Sequence, residues 1–349
     1  MKTVGISEKE EKVESKVHPL MRKRTLTITM LAAALIISTF GSMMIGQVSF
    51  STQEIWNGIF NSADTMERRI VWDLRLPRAL IGVIVGMCLA TAGAILQGVM
   101  RNSLADPGII GVTSGAGLTA TIIMIIFPTL IGLVPLAAFL GALIAALTIY
   151  LLSWKGGTSP VRIILVGVAI NAVIGACMSA LMLLYSDRVQ SVLPWLAGGI
   201  QGVGWVQFEM IIYYAIAALV MAMFGIRHIR ILRLGDEMAK LLGHNVERSR
   251  FFLIVLSTLL AGISVSVAGL IGFVGLVVPH ILRIMIGGDY RYLLPASALG
   301  GGLLVILADT VARTAFNPIE LPVGILLAFL GGPFFLYLIQ RRRDTFASH

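Results

Sequence analysis

Asp309 and Arg313 stand four residues apart in an almost wholly apolar stretch, and an ionisable pair in that setting has two chemical uses. A carboxylate in hydrocarbon can carry a proton or ligate a coupling ion, as in an ion-coupled carrier. At i, i+4 on one helix it can instead meet its own cation as a local ion pair, and this is the role expected here. His280, after Pro279 in another apolar stretch, is read as a hydrogen-bonded structural histidine. The remaining histidines, at 18, 228, 244 and 349, are scattered, and Cys88 and Cys177 lie singly in apolar segments. A reduced thiol there behaves as a small hydrophobe. The sequence has no G-x-x-x-x-G-K-[ST] phosphate loop, no H-E-x-x-H and no Cys/His ligand cluster. The expectation is a chain with no catalytic residues, no metal site and no bound cofactor, whose energy source lies elsewhere.

The elements that must position these residues follow from composition. Of 349 residues 57% are hydrophobic and 13% charged, against roughly a quarter charged in soluble domains. A membrane helix needs about 20 mostly apolar residues, and such runs recur from Leu26 almost to the C-terminus. Spans are predicted at 26–46, 76–98, 109–127, 133–153, 162–184, 208–226, 251–268, 273–287, 295–312 and 322–340. The fold class is therefore all-α, a polytopic integral membrane protein with about ten transmembrane helices. A polar N-terminal tail (1–25), a single transmembrane domain (26–343) and a short C-terminal tail (344–349) complete the organisation. The polar lead is long and no A-x-A-like site follows the first apolar run, so that run is expected to stay as a membrane helix. The eighth span is short, and Gly269, Gly272 and Gly275 beside it imply a tight turn or close backbone approach, which must be buried against protein. Small-residue spacings such as Gly82 to Gly86 and Gly111 to Gly115 suit close helix approach.

The net charge of +9 does not point to nucleic acid, because Lys and Arg sit in the breaks between apolar runs. There they orient the chain in lipid. With an even number of spans, Lys2, Lys9, Lys12, Lys16, Arg22, Lys23 and Arg24 at one end and Arg341, Arg342 and Arg343 at the other place both termini in the cytoplasm of a multi-pass cell-membrane protein. The break 227–250, with Arg227, Arg230, Arg233, Lys240, Arg248 and Arg250, falls on the same side. The outer loop 47–78 carries Arg68, Arg69, Arg75 and Arg78, partly offset by Asp64, Glu67 and Asp73, and is basic against the rule.

Three blocks are informative together. The first is Leu74-Arg75-Leu76-Pro77-Arg78, followed by Gly93, Gln97, Arg101-Asn102-Ser103-Leu104-Ala105-Asp106-Pro107-Gly108 and the stretch from Gly111 to Gly117. The second is Leu234-Gly235-Asp236-Glu237-Met238-Ala239 with Leu242-Gly243. The third runs from Val265 through Gly269, Gly272, Gly275, Pro279-His280 and Arg283 to Ala308-Asp309, Arg313, Glu320-Leu321-Pro322-Val323-Gly324 and Gly331-Gly332-Pro333. In order and spacing this ensemble resembles the FecCD-type permeases of ATP-binding-cassette importers, which move iron-siderophores, haem and vitamin B12. The resemblance covers nearly everything after about residue 25.

The resemblance implies a vitamin B12 importer permease-like fold and two permease subunits, homo- or heterodimeric, around a central pathway. It also implies separate ABC ATPase subunits that hydrolyse ATP, and an extracellular or periplasmic substrate-binding protein. ATPase coupling falls to about 234–247, through Leu234, Gly235, Asp236, Glu237, Met238, Ala239, Leu242 and Gly243, where charged residues flank apolar ones on a short amphipathic helix. Binding-protein docking falls to Arg75, Arg78 and Arg313, which gives the outward basic charge a reason. A cytoplasmic gate falls to Asn102, Leu104, Thr158, Ser159 and Pro160, although Ser103 stands where proline is frequent in the family. The implied function is import of a ferric siderophore. Alternatives are vitamin B12 or haem on the same machinery, an ion-coupled secondary carrier, and an intramembrane enzyme, the last disfavoured by the missing metal and nucleophile clusters.

Overall fold

A computed structural model describes residues 4–46, 48–60, 65–155, 157–316 and 319–347, with side chains from Leu20 to Leu336 and at Gln340. The side chains of Lys9, Lys12, Lys16, Arg341, Arg342 and Arg343, together with Lys2 and Asp64, lie outside the described residues. The chain runs as α1 (Val4–Met44), α2 (Thr52–Phe60) and α3 (Met66–Arg68), which passes through a π-helical stretch, Arg69–Arg75, into α4 (Leu76–Val99). Then come α5 (Val112–Ile126), α6 (Val134–Leu152), α7 (Pro160–Leu184), α8 (Val189–Ala197), α9 (Trp205–Leu232) and α10 (Asp236–Leu241). The last four are α11 (Val246–Ala268), α12 (Val274–Ile286), α13 (Tyr290–Thr314) and α14 (Val323–Ala347).

Among the described residues seven helices are long and apolar enough to cross a membrane, and 112–126, 274–286 and 323–336 add three shorter apolar helices. These ten stand where ten spans are predicted. Several boundaries shift, and two of the shifts have a clear physical reason. The first helix starts at Val4, because the polar lead is rich in good helix formers such as Glu and Lys. The predicted span 208–226 continues to Leu232, since arginines extend a helix readily and are favoured at its negative C-terminal end. Arg227 and Arg230 are thus helical residues, outside any loop.

The packing centres on α4, buried along nearly its whole length against α13, α11, α12 and α9, while α5 and α6 pair and lean on α11. Close approach explains why small residues are needed. A Cβ on Gly93 would lie 2.0 Å from the Gly275 carbonyl oxygen, so α4 and α12 touch backbone to backbone. Gly86 repeats this against Gly301, and Gly115 against Gly141.

The expected irregular backbone is present and satisfied from within. Three non-helical breaks meet: Gly199 N–H donates to Ala268 O (2.8 Å), and Gly324 N–H to Gly198 O (2.9 Å). Groups that have no water partner in hydrocarbon therefore find protein partners. In consequence α12 is a half-length helix of about 20 Å, pinned to α4 by Gln97, whose amide donates to Gly275 O and Leu276 O while Arg283 donates to Gln97 Oε1 (2.8 Å).

Substituting Gly93→Ala forces α4 and α12 apart, and overpacking of this kind costs about 1–3 kcal/mol. The thermal midpoint in detergent is expected to fall, whereas Gly41→Ala, whose Cβ would meet nothing within 4 Å, leaves it unchanged or raises it.

Candidate functional site

The helices bring the singled-out residues to the two opposite ends of the bundle. At one end, α10 lies between α9 and α11. Its entry is Gly235 at φ +103°, a conformation that suits glycine and turns the chain sharply after Leu234. Ala239 is buried, and Leu234, Met238, Leu241 and Leu242 are exposed, with Leu241 82% accessible. Exposed apolar surfaces of this kind serve protein or membrane contacts.

Asp236, the first residue of α10, holds this end together. Its carboxylate receives Arg250 Nη2 at 3.0 and 2.8 Å and Arg101 Nη2 at 3.2 Å. The Arg250 side chain is only 1% exposed, so its N–H groups need acceptors, and both terminal nitrogens have them while Nε has none among the described residues. Its other terminal nitrogen donates to the Thr158 carbonyl, to Thr158 Oγ1 (3.0 Å) and, at 3.4 Å, to Glu247. Glu247 in turn accepts from Thr158 N–H at 3.2 Å and from its hydroxyl at 2.7 Å. A continuous charged network thus joins α10, the start of α11 and the α6–α7 loop, with the start of the α4–α5 loop attached through Arg101.

The gate residues meet this network unequally. Thr158 is within it. Ser159 caps α7 by accepting from Arg162 N–H, and Pro160 occupies the first helical turn, where its missing N–H costs nothing. Arg162 donates to the carbonyls of Ser153, Lys155 and Gly157, so this loop is fixed from both sides. Asn102 and Leu104 form their own turn, Asn102 Oδ1 accepting from Leu104 N–H at 3.0 Å. Among the described residues no hydrogen bond joins them to Thr158–Pro160, and their link to α10 runs through the preceding Arg101. By sequence, Arg101 stands only in a motif block and Arg250 only among basic charges. The usable signal was Arg250 at the margin of an apolar span, three residues after Glu247.

At the opposite end Arg75, Arg78 and Arg313 do come together, around a cavity of about 270 Å³ also lined by Glu320. The expected ion pair within one helix is corrected here. Asp309 instead accepts two hydrogen bonds from Arg78, Nε at 3.1 Å and Nη2 at 2.9 Å, and Arg78 Nη1 reaches Glu320 at 2.9 Å. Two oxygens of Asp309 fit the guanidinium fork, which favours this pair over one along the helix. Arg313 is free to turn to the Ser42 carbonyl, and Arg75 donates to the carbonyls of Met43 and Val48 and stacks on Phe50. Ser42 and Met43 are in the last turn of α1, whose carbonyls lack helical partners, so the two arginines cap that helix. Both are largely buried, so in this conformation they face inward.

Among the described residues no group of three or more His, Cys, Asp or Glu is placed to hold a metal ion. Residues 34–341 match the FecCD transport family. The chain belongs to the FecCD family. This FecCD protein is 40% identical over 326 residues to the hemin transport system permease protein HmuU of Yersinia pestis, covering 91% of this chain and 96% of that one. It is 38% identical over 330 residues to the "Probable siderophore transport system permease protein YfhA" of Bacillus subtilis, covering 92% and 95%. Its fold is that of a metal-chelate type ABC transporter solved in an inward-facing conformation, with a TM-score of 0.79 at 29% identity over 90% of this chain and 98% of the other. It is therefore a multi-pass membrane protein of the importer-permease type.

Removing Arg250 leaves Asp236, 32% exposed, with Arg101 and water as partners, so the cost falls below the roughly 3–5 kcal/mol of a fully buried charged pair. In a double-mutant cycle of Arg250→Met and Asp236→Asn, followed by unfolding in detergent, we expect a coupling energy above about 1 kcal/mol; strict additivity would mean the two do not act together.

Proposed function

We propose that this chain is the membrane-spanning subunit of an ABC importer that carries an iron chelate, with a ferric siderophore as the preferred cargo. The observation that carries this reading is α10: an exposed apolar helix surface whose first residue is tied by charged hydrogen bonds to the two loops expected to gate the pathway. Separate ATPase subunits hydrolyse ATP and bear on Met238, Leu241 and Leu242. Their movement shifts Asp236, and Arg101 and Arg250 pass that shift to Asn102 and Thr158. A second permease subunit, identical or related, completes the pathway.

A substrate-binding protein docks at the opposite end. An acidic side chain of that protein, entering the cavity beside Arg78, competes with Glu320 for the same guanidinium and so couples docking to the α13–α14 connection. Complementary charge of this kind mainly sets register and encounter rate. The likeness to YfhA supports a siderophore cargo, and the 40% identity to HmuU supports haem as a second reading.

Glu237 is exposed on α10, so Glu237→Arg is expected to leave the fold intact and to abolish ATPase contact. Uptake of a panel of radiolabelled ferric siderophores and hemin, in cells without a redundant importer, is expected to lose one cargo both in the deletion strain and in Glu237→Arg cells that retain the protein in the membrane. Unchanged uptake of every cargo in the deletion strain would refute the iron-chelate reading.

A further inference from the structure

One cavity is used by neither the coupling network nor the docking end. It measures about 610 Å³, within the range of small-molecule sites, and lies between the C-terminal end of α9 and the α12–α13 turn. Arg227 and Arg230 line it from α9 and Arg233 from the residue just after that helix, and Gly288 and Asp289 line it from the turn. Three cations therefore face one carboxylate, and that carboxylate is already engaged. Asp289 caps α13 by accepting from Arg291 N–H (3.2 Å) and faces Arg24 of α1 at 3.8 Å. Arg233 is held in place, donating to Gly288 O at 2.6 Å and stacking on Tyr290. Arg227 and Arg230 are exposed and have no ion pair among the described residues.

The surroundings state what kind of anion belongs here. The arginines sit on the last turns of a membrane-spanning helix, at the level where lipid headgroups lie. Val220, Phe224 and Arg227 follow one another at i, i+4 and i+7, which sets them in line on one helix face. Val220 and Phe224 are both exposed, so an apolar stripe runs down the membrane face directly into the basic cavity. Across it, Ile284 and Met285 of α12 are exposed at the same end. A free phosphate uses only the cavity, and an acidic protein surface has no use for a lipid-facing apolar stripe. An amphiphile with a phosphate head uses both.

We propose that this cavity binds the headgroup of an anionic glycerophospholipid, with its phosphate between Arg227 and Arg230 and its acyl chains along Val220 and Phe224. Basic pockets between helices at the cytoplasmic face are a known setting for such headgroups. Because Leu234 also lines the cavity and leads into α10, the bound lipid braces the junction from which the coupling helix departs.

The test is native mass spectrometry of the purified chain in mild detergent, titrated with phosphatidylglycerol, phosphatidylcholine or inorganic phosphate. Phosphatidylglycerol is expected to bind in preference to the other two. Arg227→Gln with Arg230→Gln should weaken that binding roughly twenty- to thirtyfold, from two lost surface charges. Arg227→Lys with Arg230→Lys should retain most of it, and Arg248→Gln, at an exposed arginine outside the cavity, should retain all of it. Equal binding of phosphatidylcholine, unchanged binding in the Gln pair, or inorganic phosphate binding as tightly as the lipid would each overturn the proposal. So would a Gln pair that keeps the lipid but loses ATPase subunits, which would assign the arginines to a protein partner. The lipid readout needs no transport, so it stands or falls independently of the cargo assignment.

Discussion

A guanidinium withdrawn from water at the end of an apolar bundle needs acceptors for its terminal nitrogens, and at Arg250 that requirement binds three segments into one body. Asp236 supplies α10, Thr158 supplies the α6–α7 loop, and Glu247 supplies the first turn of α11. Arg101 brings in the α4–α5 loop through the same carboxylate. The charged hydrogen bonds of the buried Arg250 are stiff and directional, while the Arg101–Asp236 bond is partly exposed and looser. In the proposed mechanism a push on the exposed apolar side of α10 is passed through these bonds to two loops that sequence position alone leaves far apart.

The opposite end obeys the same constraint with different partners. There the need comes from the backbone, because the last carbonyls of α1 have no helical donors, and Arg75 and Arg313 provide them. Arg78 is left to Asp309 and Glu320 and joins α4 to α13 and to the segment before α14. Between the two ends little polar chemistry is needed, and glycine contacts such as Gly93 on Gly275 let the helices pack at backbone distance.

How much of this could be read from the sequence depended on the kind of signal. Span number and placement were legible, since apolar run length is a direct requirement of the bilayer, and so was the irregular backbone flagged by Gly269 and its neighbours. Helix length past the membrane was less legible: the arginines that marked the end of a span at 226 continue as helix to 232. Partners were the least legible. Asp309 and Arg313 have the spacing of a pair, yet Arg78, 231 positions away in the chain, offers Asp309 a bidentate fit and takes it. Arg101 was visible only as a member of a motif block and Arg250 only as positive charge, because nothing local to either shows that Asp236 and Thr158 will meet them. Glu237 and the exposed leucines of α10 were readable, since amphipathicity is a local pattern.

If Arg250 carries the movement of α10 to the gate, the decisive quantity is cargo moved per ATP hydrolysed. It is measured in proteoliposomes holding the permease, its ATPase subunits and its binding protein, for wild type and Arg250→Lys, which keeps the charge but lacks the planar fork that spans Asp236 and Thr158. The account predicts that the variant still assembles with the ATPase and hydrolyses ATP, while uptake falls and the ratio drops. An unchanged ratio, or uptake that persists without ATP and collapses with a protonophore, would contradict it.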